Sequence, residues 1–480
     1  MASVTRTPAQ RKPSSNRTRK SKPAHINARK PRPGRGRTKG SQEADRRQLQ
    51  HKRLVLGQLD LAAVEQICRQ KGHHWREGKL TPAKTVECFA WQVLMGNKTC
   101  DEVRHHENGQ FSSPAYCMAR QRLPLGVLEE LNRQVSRQAL AMARAAGKCE
   151  HRWKGKSVYR IDGSSASLPD VKEVRQHFGL SKKQKLGCGY PTAHLLVLTG
   201  PAGIALDLIC SPLRTGDMTN AAQMHRHLNA GDVLLGDGLF SGWAHLWHLQ
   251  TQDLHGLFPA HHSRKLIWGR QGEHGTRRRF VRSLGYFDQL VEYRKPDQKP
   301  NWMTKEQFAN APQWIRVREI RRSVWVGGVR RTITLVTTLL DPQKFPAKEL
   351  VKLLGERWLI EVHLRSLKTT MGMERLRCKS VEGVKKELRM YLIVYNLVPM
   401  RMLRAAARQK VPLARISFAD ALASLRYGDG QETDLKVNPH RPGRCQPRVV
   451  KTRPKAYPKM TRPRPQLLRE LKAKRKAAFA

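Results

Sequence analysis

Apolar side chains recur at helical spacing through the first folded part of the chain, from residue 54 to about residue 148. Four segments show this spacing and are separated by Gly, Asn and Pro: residues 59–69, 82–94, 113–122 and 125–146. The pattern predicts a compact helical domain over residues 48–150.

From residue 157 the pattern changes to short apolar runs that alternate with helical segments. The runs predict strands at residues 157–161, 193–198, 204–210, 232–236 and 254–258, and helices at residues 220–227 and 241–249. Three strands, a helix, a strand, a helix and a strand is the order of the ribonuclease-H-like fold, an α/β architecture. That fold carries carboxylates at the ends of its first and fourth strands and on a later helix. Asp162 and Asp237 hold the first two of these places.

A charged segment, residues 357–368, contains neither Pro nor Gly and predicts a helix of at least three turns. At about 100° per residue, Arg357, Glu361, Arg365 and Lys368 fall on one narrow face beside an apolar stripe. Three cations around one carboxylate suit a group that holds a metal ion beside phosphates. An amphipathic helix with a salt-bridged solvent face has the same pattern.

The long interval between Asp237 and Glu361 predicts an insertion in the α/β core. Residues 259–345 are rich in Arg, Trp and alternating apolar residues, with Gly327-Gly328 as a turn. We expect a β-rich insertion whose outward Arg side chains meet DNA. Its tryptophans could stack on an unpaired base or fill a core: Trp268, Trp302, Trp314 and Trp325.

The charge balance indicates the class of partner. The 480 residues carry 91 Lys and Arg against 38 Asp and Glu, a formal net charge of +53. Such an excess predicts a polyanionic partner, nucleic acid above all. Residues 1–47 and 431–480 each hold 15 basic residues against 2 and 3 acidic ones, and we expect disordered basic tails. A net charge of +28 remains without them, so the folded part is expected to bind DNA as well.

Within the predicted helical domain, Arg120 and Arg122 are candidates for reading a DNA groove. A helical bundle with no reading function would show the same pattern. The chain is thus predicted to comprise a basic arm (1–47), a helical DNA-binding domain (48–150), the first core part (151–258), the insertion (259–345), the second core part with the charged helix (346–430) and a basic tail (431–480).

Cysteine and apolar content indicate the compartment. Nine Cys are scattered singly and never form Cys-x-x-Cys, which argues against a disulfide framework and a structural zinc site. We expect a reducing cytoplasm. No apolar run approaches the ~20 residues that span a bilayer, so no membrane contact is expected. The Arg-rich, acid-poor start also resembles an organellar transit peptide, although it lacks an apolar face.

Together these features resemble the bacterial insertion-sequence transposases of the Asp-Asp-Glu type, in the IS-four family. That family carries Tyr-x2-Arg-x3-Glu-x6-Lys around its third acid, and Arg357, Glu361 and Lys368 match it with the same intervals. Other family-like stretches are Asp162-Gly-Ser-Ser, Phe178-Gly179, Gly187-Cys-Gly-Tyr-Pro191, Asp237-Gly-Leu-Phe240, Trp302-Met303, Thr337-Thr-Leu-Leu-Asp341 and Tyr395-Asn-Leu397. The resemblance extends from about residue 55 to residue 460.

The resemblance implies cut-and-paste DNA transposition, with Asp162, Asp237 and Glu361 holding two Mg²⁺ ions for which Mn²⁺ can substitute. Asp162 would bridge both ions, and the other two acids would each complete one. Arg357 and Lys368 would grip phosphates near the cleaved end, with Arg365 assisting from the same face. The implied partners are the terminal inverted repeats, target DNA and a second copy of the chain.

Two positions depart from the family pattern. Leu354 stands where the signature has Tyr, and Gly238 follows the second Asp, where the family often has Arg. Both family residues are expected to help hold DNA phosphates. Two other functions therefore stay open: a decayed or repurposed transposase that only binds DNA, and a nuclease that cuts without joining.

Overall fold

The computed structural model describes residues 50–52, 55–146, 152–180, 189–264, 266–269, 277–326, 329–374, 376–428, 433–439 and 462–478. The predicted arm, residues 1–47, lies outside these ranges, as do the predicted Gly327-Gly328 turn and residues 440–461 of the predicted tail. The helices are α1 (Leu61–Gln70), α2 (Pro82–Leu94), α3 (Cys100–His106), α4 (Ser113–Arg122), α5 (Leu125–Ala145), α6 (Lys172–Phe178), α7 (Asp217–Met224), α8 (Trp243–Gln250), α9 (Lys305–Asn310), α10 (Ala347–Gly355), α11 (Trp358–Arg365), α12 (Val381–Gln409), α13 (Phe418–Tyr427) and α14 (Arg464–Ala478). The strands are β1 (Arg152–Trp153), β2 (Lys156–Ser167), β3 (Thr192–Thr199), β4 (Ala205–Pro212), β5 (Val233–Leu235), β6 (His255–Pro259), β7 (Arg278–Gly285), β8 (Asp288–Arg294), β9 (Trp314–Val326) and β10 (Val329–Thr337).

These strands form one mixed sheet in the order β4-β3-β2-β5-β6-β10-β9-β8-β7, and β1 pairs with β2. Strands β2, β3 and β4 are antiparallel neighbours, whereas β5 runs parallel to both β2 and β6. The two faces of this part of the sheet are buried in different clusters. Helices α7 and α8 pack in the cluster that contains Leu234, and α10 packs in the cluster that contains Val233 and Leu235. The prediction of a mixed α/β fold is confirmed.

Strands β7 to β10, which lie in the predicted insertion, extend the central sheet. β10 pairs antiparallel with β6, from Thr337 opposite Leu257 to Leu335 opposite Pro259. Strands β9, β8 and β7 then follow in antiparallel order. The residues of the insertion are therefore positioned by backbone hydrogen bonds that continue from β6.

Three predicted elements differ from the observed ones. β2 continues to Ser167 because it pairs with β3 from Arg160 to its end, so Asp162 lies inside the strand and not after it. The predicted helix over residues 357–368 ends as α11 at Arg365 and gives way to a π-helical turn, Ser366–Thr370. Part of the tail predicted to be disordered, Arg464–Ala478, forms α14.

The first four helices, α1 to α4, each begin after a residue whose side chain caps the helix. Thr81 accepts a hydrogen bond from the Lys84 N–H and precedes Pro82 at the first turn of α2. Thr99 and Glu102 form a capping box at α3. Helices α1, α2 and α5 share a hydrophobic core with the sheet and with α12, whereas α3 and α4 bury Val103 and Tyr116 in a smaller cluster beside α2. No helix among the described residues is both long and apolar enough to cross a bilayer.

A buried polar side chain on α12 joins that helix to the sheet. Asn396 is fully buried; its Oδ1 accepts from the Ala205 N–H (2.9 Å), and its Nδ2 donates to the Ala205 carbonyl (2.8 Å). The neighbouring Tyr395 hydroxyl donates to the Gly203 carbonyl at 3.0 Å. Both groups of the Ala205 backbone thus find their partner in one side chain, which fixes α12 against the start of β4.

Replacing Asn396 by Ala is expected to lower the free energy of unfolding by about 2–4 kcal/mol, because it leaves a buried N–H and a buried carbonyl without partners. Asn310→Ala is the matched control, since Asn310 is exposed at the end of α9 and should change stability by less than about 0.5 kcal/mol. Urea unfolding followed by circular dichroism measures both. Equal effects of the two substitutions would contradict the bridging role of Asn396.

Candidate active site

The pairing of β2 with β5 brings two of the predicted acids together. The two strands are in parallel register from Val158 opposite Val233 to Arg160 opposite Leu235. Continuing that register by two residues places Asp162 beside Asp237. This is the edge of the sheet formed by the carboxyl end of β5. The order of strands predicted from the sequence accounts for this placement.

Each carboxylate accepts a hydrogen bond from the backbone N–H of a residue that follows it in the chain. Asp162 Oδ1 accepts from the Gly163 N–H (2.9 Å), and Asp237 Oδ1 accepts from the Leu239 N–H (2.9 Å) at the start of a 3₁₀ turn. Residue 236, just before Asp237, has no room for a side chain. A Cβ on Gly236 would lie 3.1 Å from Ile161 Cγ2 and closer still to the Phe240 ring. Glycine at 236 lets the chain turn here and expose Asp237.

Helix α11 brings the third acid and the basic residues of the signature to this edge. Arg357 Nη2 donates to Glu361 Oε1 at 3.0 Å, and both side chains are partly exposed. Lys368, in the π-helical turn, donates to the Ser164 hydroxyl (3.2 Å) and the Ser165 carbonyl (2.9 Å). Of the four residues on the predicted charged face, Lys368 thus contacts β2, and Arg357 and Glu361 pair with each other.

Electrostatic effects show that the three acids share one environment. Burial is the main cause that raises the pKa of Asp162 from 3.8 to about 6; the charges of Asp237 and Glu361 add to it, while the Gly163 N–H and Arg357 oppose it. Burial also raises the pKa of Asp237. It lowers the pKa of Lys368. The negative charges are thus close enough to repel one another, and Arg357 is the nearby cation that offsets them.

A fourth carboxylate, that of Asp217 on α7, lies at the same place and was not among the acids predicted for the site. A Cβ on Gly163 would be 2.8 Å from Asp217 Oδ1, so the Asp217 side chain packs directly over the residue after Asp162. His194 Nε2 lies 2.6 Å from the same oxygen. The charge of Asp217 contributes, after burial, to the raised pKa of Asp237. The contact requires glycine at residue 163, because a Cβ there would collide with the Asp217 carboxylate.

The other candidate DNA-binding residues have different surroundings. Arg365 is exposed at the end of α11, and Arg122 is exposed at the end of α4. Arg120 instead donates to Gln92 Oε1 (2.9 Å), and its guanidinium lies 3.9 Å from the centroid of the Phe89 ring. Its contacts are those of a residue that holds α4 against α2. Contacts of all three with DNA stay predictions.

The two departures from the family signature are accommodated by packing. Leu354 is buried in a cluster that also contains Val158 and Leu235. A Cβ on Gly238 would lie 3.2 Å from the backbone Cα of His261, so a larger residue here must displace the chain that follows β6. Returning either position to the family residue alone would therefore disturb the local packing.

Of the four candidate tryptophans, three lie against other side chains. Arg321 lies over Trp268, Arg279 lies over Trp314, and the His248 ring meets Trp302 edge to face at 5.4 Å. Trp325 is 74% exposed.

Comparison with known proteins identifies the family. Residues 153–397, which make up about half of the chain and contain all three acids, match the family model described as Transposase DDE domain. Transposase InsG for insertion sequence element IS4, from Escherichia coli strain K12, is 28% identical over 386 residues, covering 73% of this chain and 79% of that protein. The chain belongs to the DDE transposases of the IS4 family. A solved structure of the piggyBac transposase synaptic complex with hairpin DNA shares 9% identity over 80% of each chain, with a TM-score of 0.39.

The transposase is therefore a DNA-cleaving and strand-transferring enzyme, and its family generally uses divalent metal ions. Among the described residues, no group of three His, Cys, Asp or Glu side chains converges closely enough to hold one metal ion. The acids at this edge are neighbours that repel one another, without forming a closed cage.

Replacing Asp162 by Asn is expected to stabilise the metal-free transposase. Its raised pKa means that the folded state holds the proton more tightly than the unfolded chain, so stability falls as pH rises from about 4 to about 6. Asn keeps an acceptor for the Gly163 N–H and carries no charge. The shift corresponds to about 3 kcal/mol at 1.36 kcal/mol per pKa unit, which solvent screening reduces to an expected gain of about 1–2 kcal/mol near pH ~7. The gain should vanish near pH ~4.

Asp207→Asn is the matched control, because the same substitution should there have the opposite sign. Burial raises the pKa of Asp207, but its bonds to His227 and Arg389 outweigh burial and hold that pKa well below the usual range. The Asn variant leaves Arg389 without its counter-charge and should lose about 3 kcal/mol. Urea unfolding with EDTA at both ends of the pH range measures each change. Destabilisation by both substitutions near pH ~7 would contradict the repulsion at Asp162.

Proposed function

We propose that Asp162, Asp237 and Glu361 are the catalytic acids of this transposase and hold two Mg²⁺ ions, with Mn²⁺ able to substitute. The observation that carries the proposal is the strand register that sets Asp162 beside Asp237, with Glu361 close enough for its charge to act on Asp162. An enzyme that keeps buried carboxylates together without a permanent counter-ion loses stability, and the loss is offset when a cation binds. DNA cleavage at terminal inverted repeats is the activity that such a site would serve.

The strand order supports a ribonuclease-H-like core beneath this site. In the strand order β4-β3-β2-β5-β6, Asp162 lies on the central strand β2, and Asp237 lies just after its parallel neighbour β5. Glu361 lies on the later helix α11. The helices of residues 61–145 would serve as the DNA-binding domain, with Arg122 on the exposed end of α4. The basic segments at residues 1–47 and 431–480 would add contacts to the DNA backbone.

The residues present fit the proposed ions by their chemistry. Carboxylate oxygens are the ligands that Mg²⁺ prefers, and Mg²⁺ usually keeps several waters and takes one or two carboxylates. No three described side chains form a cage, so each ion would take a pair of acids, Asp162 with Asp237 and Asp162 with Glu361. When bound, two such ions activate an attacking oxygen and stabilise the leaving one.

The basic residues would bind the DNA phosphates beside the acids. Arg357 now neutralises Glu361, and a bound cation would take over that task and leave the guanidinium for a phosphate. The ammonium group of Lys368 donates to Ser164 and Ser165, two and three residues after Asp162, and its charge would lie close to the scissile phosphate. Arg365, exposed on the same helix, would contact the DNA further out.

The complete reaction would proceed in two stages on the same residues. Water first attacks a phosphodiester at the end of the element and frees a 3′-hydroxyl. That hydroxyl then attacks a phosphodiester of the target DNA, a transesterification that conserves the number of phosphodiester bonds and requires no ATP. Pairing the two ends of the element would require two copies of the chain, so we propose a homodimer in the DNA complex.

Glu361→Gln is expected to lower cleavage of a labelled duplex carrying the terminal repeat by at least about 10³-fold in Mg²⁺, because it removes a charged ligand. Binding of the same duplex in EDTA should change by less than about threefold. Glu349→Gln is the matched control, because Glu349 lies on α10, a different helix from that of Glu361, and pairs with Lys154. Cleavage by this variant should be unchanged. A Glu361→Gln protein that cuts as well as the unaltered protein would refute the assignment of the third acid.

A second substrate tests the joining step separately. A duplex whose 3′ end is already exposed at the repeat boundary should be joined to a supercoiled target plasmid by the unaltered protein in Mg²⁺, and by Glu349→Gln, but not by Glu361→Gln. Cleavage without joining would indicate a nuclease. Binding without either reaction would indicate a chain that has kept only DNA binding.

A further inference from the structure

A two-stranded ribbon extends beyond the sheet on the insertion side. The pairing of β9 with β8 ends at Ile320, opposite Asp288, with one further hydrogen bond from the Arg321 N–H to Phe287. The pairing of β10 with β6 begins only at Leu335. Residues 322–326 and 329–333 therefore pair only with each other. At about 3.4 Å per residue, this ribbon reaches about 17 Å past the sheet.

The ribbon leaves the sheet on the same edge as the catalytic acids. Leu335 is opposite Pro259, and the register of β5 with β6 places Asp237 level with Pro259. Residues before Leu335 thus project beyond the level of Asp162 and Asp237. Two strand spacings, about 10 Å, separate β5 from β10 across the sheet. DNA whose phosphate lies at the acids would therefore pass beside the ribbon.

The ribbon is basic and carries an exposed aromatic ring. Between Ile320 and Leu340 the sequence contains four Arg and neither Asp nor Glu. Trp325 is opposite Arg330 in the strand register, so the two side chains lie on one face. Both are exposed, as is Arg331. Neither Arg330 nor Arg331 has an acidic partner among the residues that the structure describes.

The base of the ribbon is braced by side chains. Arg322 Nη1 donates to the carbonyls of Tyr286 (2.6 Å) and Phe287 (3.1 Å), which holds the β7–β8 turn against β9. The guanidinium of Arg321 lies over the Trp268 ring at 5.1 Å. Two of the four arginines thus fix the direction of the ribbon, and the two nearer its end are left for a ligand.

We propose that this ribbon enters the major groove of the duplex whose scissile phosphate lies at the acids. Arg330 and Arg331 contact phosphates or base edges, and Trp325 contacts the wall of the groove. Two strands about 4.8 Å apart with their side chains fit a groove about 12 Å wide. The site lies within one helical turn, about 34 Å, of the scissile phosphate. The inference rests on the proposed function, which puts the scissile phosphate at these acids, but its test reads DNA contacts and requires no cleavage.

Chemical footprinting with dimethyl sulfate, which methylates guanine N7 and adenine N3, tests the proposal in EDTA. The probe is a labelled duplex carrying one terminal repeat. Guanine N7 lies in the major groove and adenine N3 in the minor groove. The unaltered protein should protect guanines within one turn of the repeat boundary, and Arg330→Gln with Arg331→Gln, or Trp325→Ala, should remove that protection. Binding should weaken by about tenfold for either variant.

The salt dependence separates a phosphate contact from a loss of folding. The double Arg variant should reduce the slope of log affinity against log salt by about 1.8, at about 0.9 per phosphate contact. Lys348→Gln with Lys352→Gln is the charge-matched control, because both residues are exposed on α10; its footprint should equal that of the unaltered protein. Thermal unfolding should be unchanged in every variant. Footprints identical in the ribbon and control variants, or lost protection at adenine N3 only, would overturn the proposal.

The footprint is read without cleavage, so it can fail separately from the proposed function. Glu361→Gln should keep the full footprint, because it leaves the ribbon unaltered. A ribbon variant should lose its footprint even without metal. Failure of cleavage chemistry and failure of the ribbon proposal therefore give different results.

Discussion

Repulsion between carboxylates at the end of β5 is the constraint to which the surrounding structure is adapted. Parallel pairing of β2 with β5 sets Asp162 and Asp237 side by side, and neither strand can move without breaking the hydrogen bonds of the sheet. Burial of these groups adds to the cost of their charge. The remainder of the fold must therefore supply enough stability to keep them together in the absence of a cation. The largest hydrophobic core, which joins α1, α2, α5 and α12 to the sheet, contributes most of the buried apolar side chains.

Helix α11, which carries Glu361, is attached to β2 at both of its ends. Before α11, the fully buried Arg160 on β2 donates to the Glu356 carbonyl at 3.0 Å and pairs with the Glu356 side chain. After α11, Lys368 donates to the backbone and hydroxyl groups that follow Asp162. Residues 160 and 162 lie on one face of the strand because side chains alternate. Glu361 is thus brought towards Asp162 by contacts that flank it on both sides, and its own bond is to Arg357.

The local pattern of apolar and polar residues was sufficient to predict where the three candidate acids lie relative to the strands and the helix. The spacing of apolar runs located Asp162 and Asp237, and helical spacing located Glu361. The extension of β2 to Ser167 was missed because Asp162-Gly-Ser-Ser has the composition of a turn, and only pairing with β3 keeps it extended. The surroundings of Arg120 and the approach of Asp217 to Gly163 were missed for a similar reason. The first depends on the packing of α4 against α2, and the second depends on the packing of α7 against β2. A local stretch of sequence does not contain this information.

The sheet also links the insertion to the acids. An inserted domain joined by flexible segments could take many positions, whereas β10 is held to β6 by the same kind of hydrogen bonds that hold β5. A shift of the β10 register by one residue would turn its side chains to the opposite face. The face that presents Trp325 and Arg330, and the reach of that face beyond Asp237, are consequently set by backbone pairing across three strands. Geometry of this kind suits an enzyme that must hold a long duplex in one position while a single phosphate reacts.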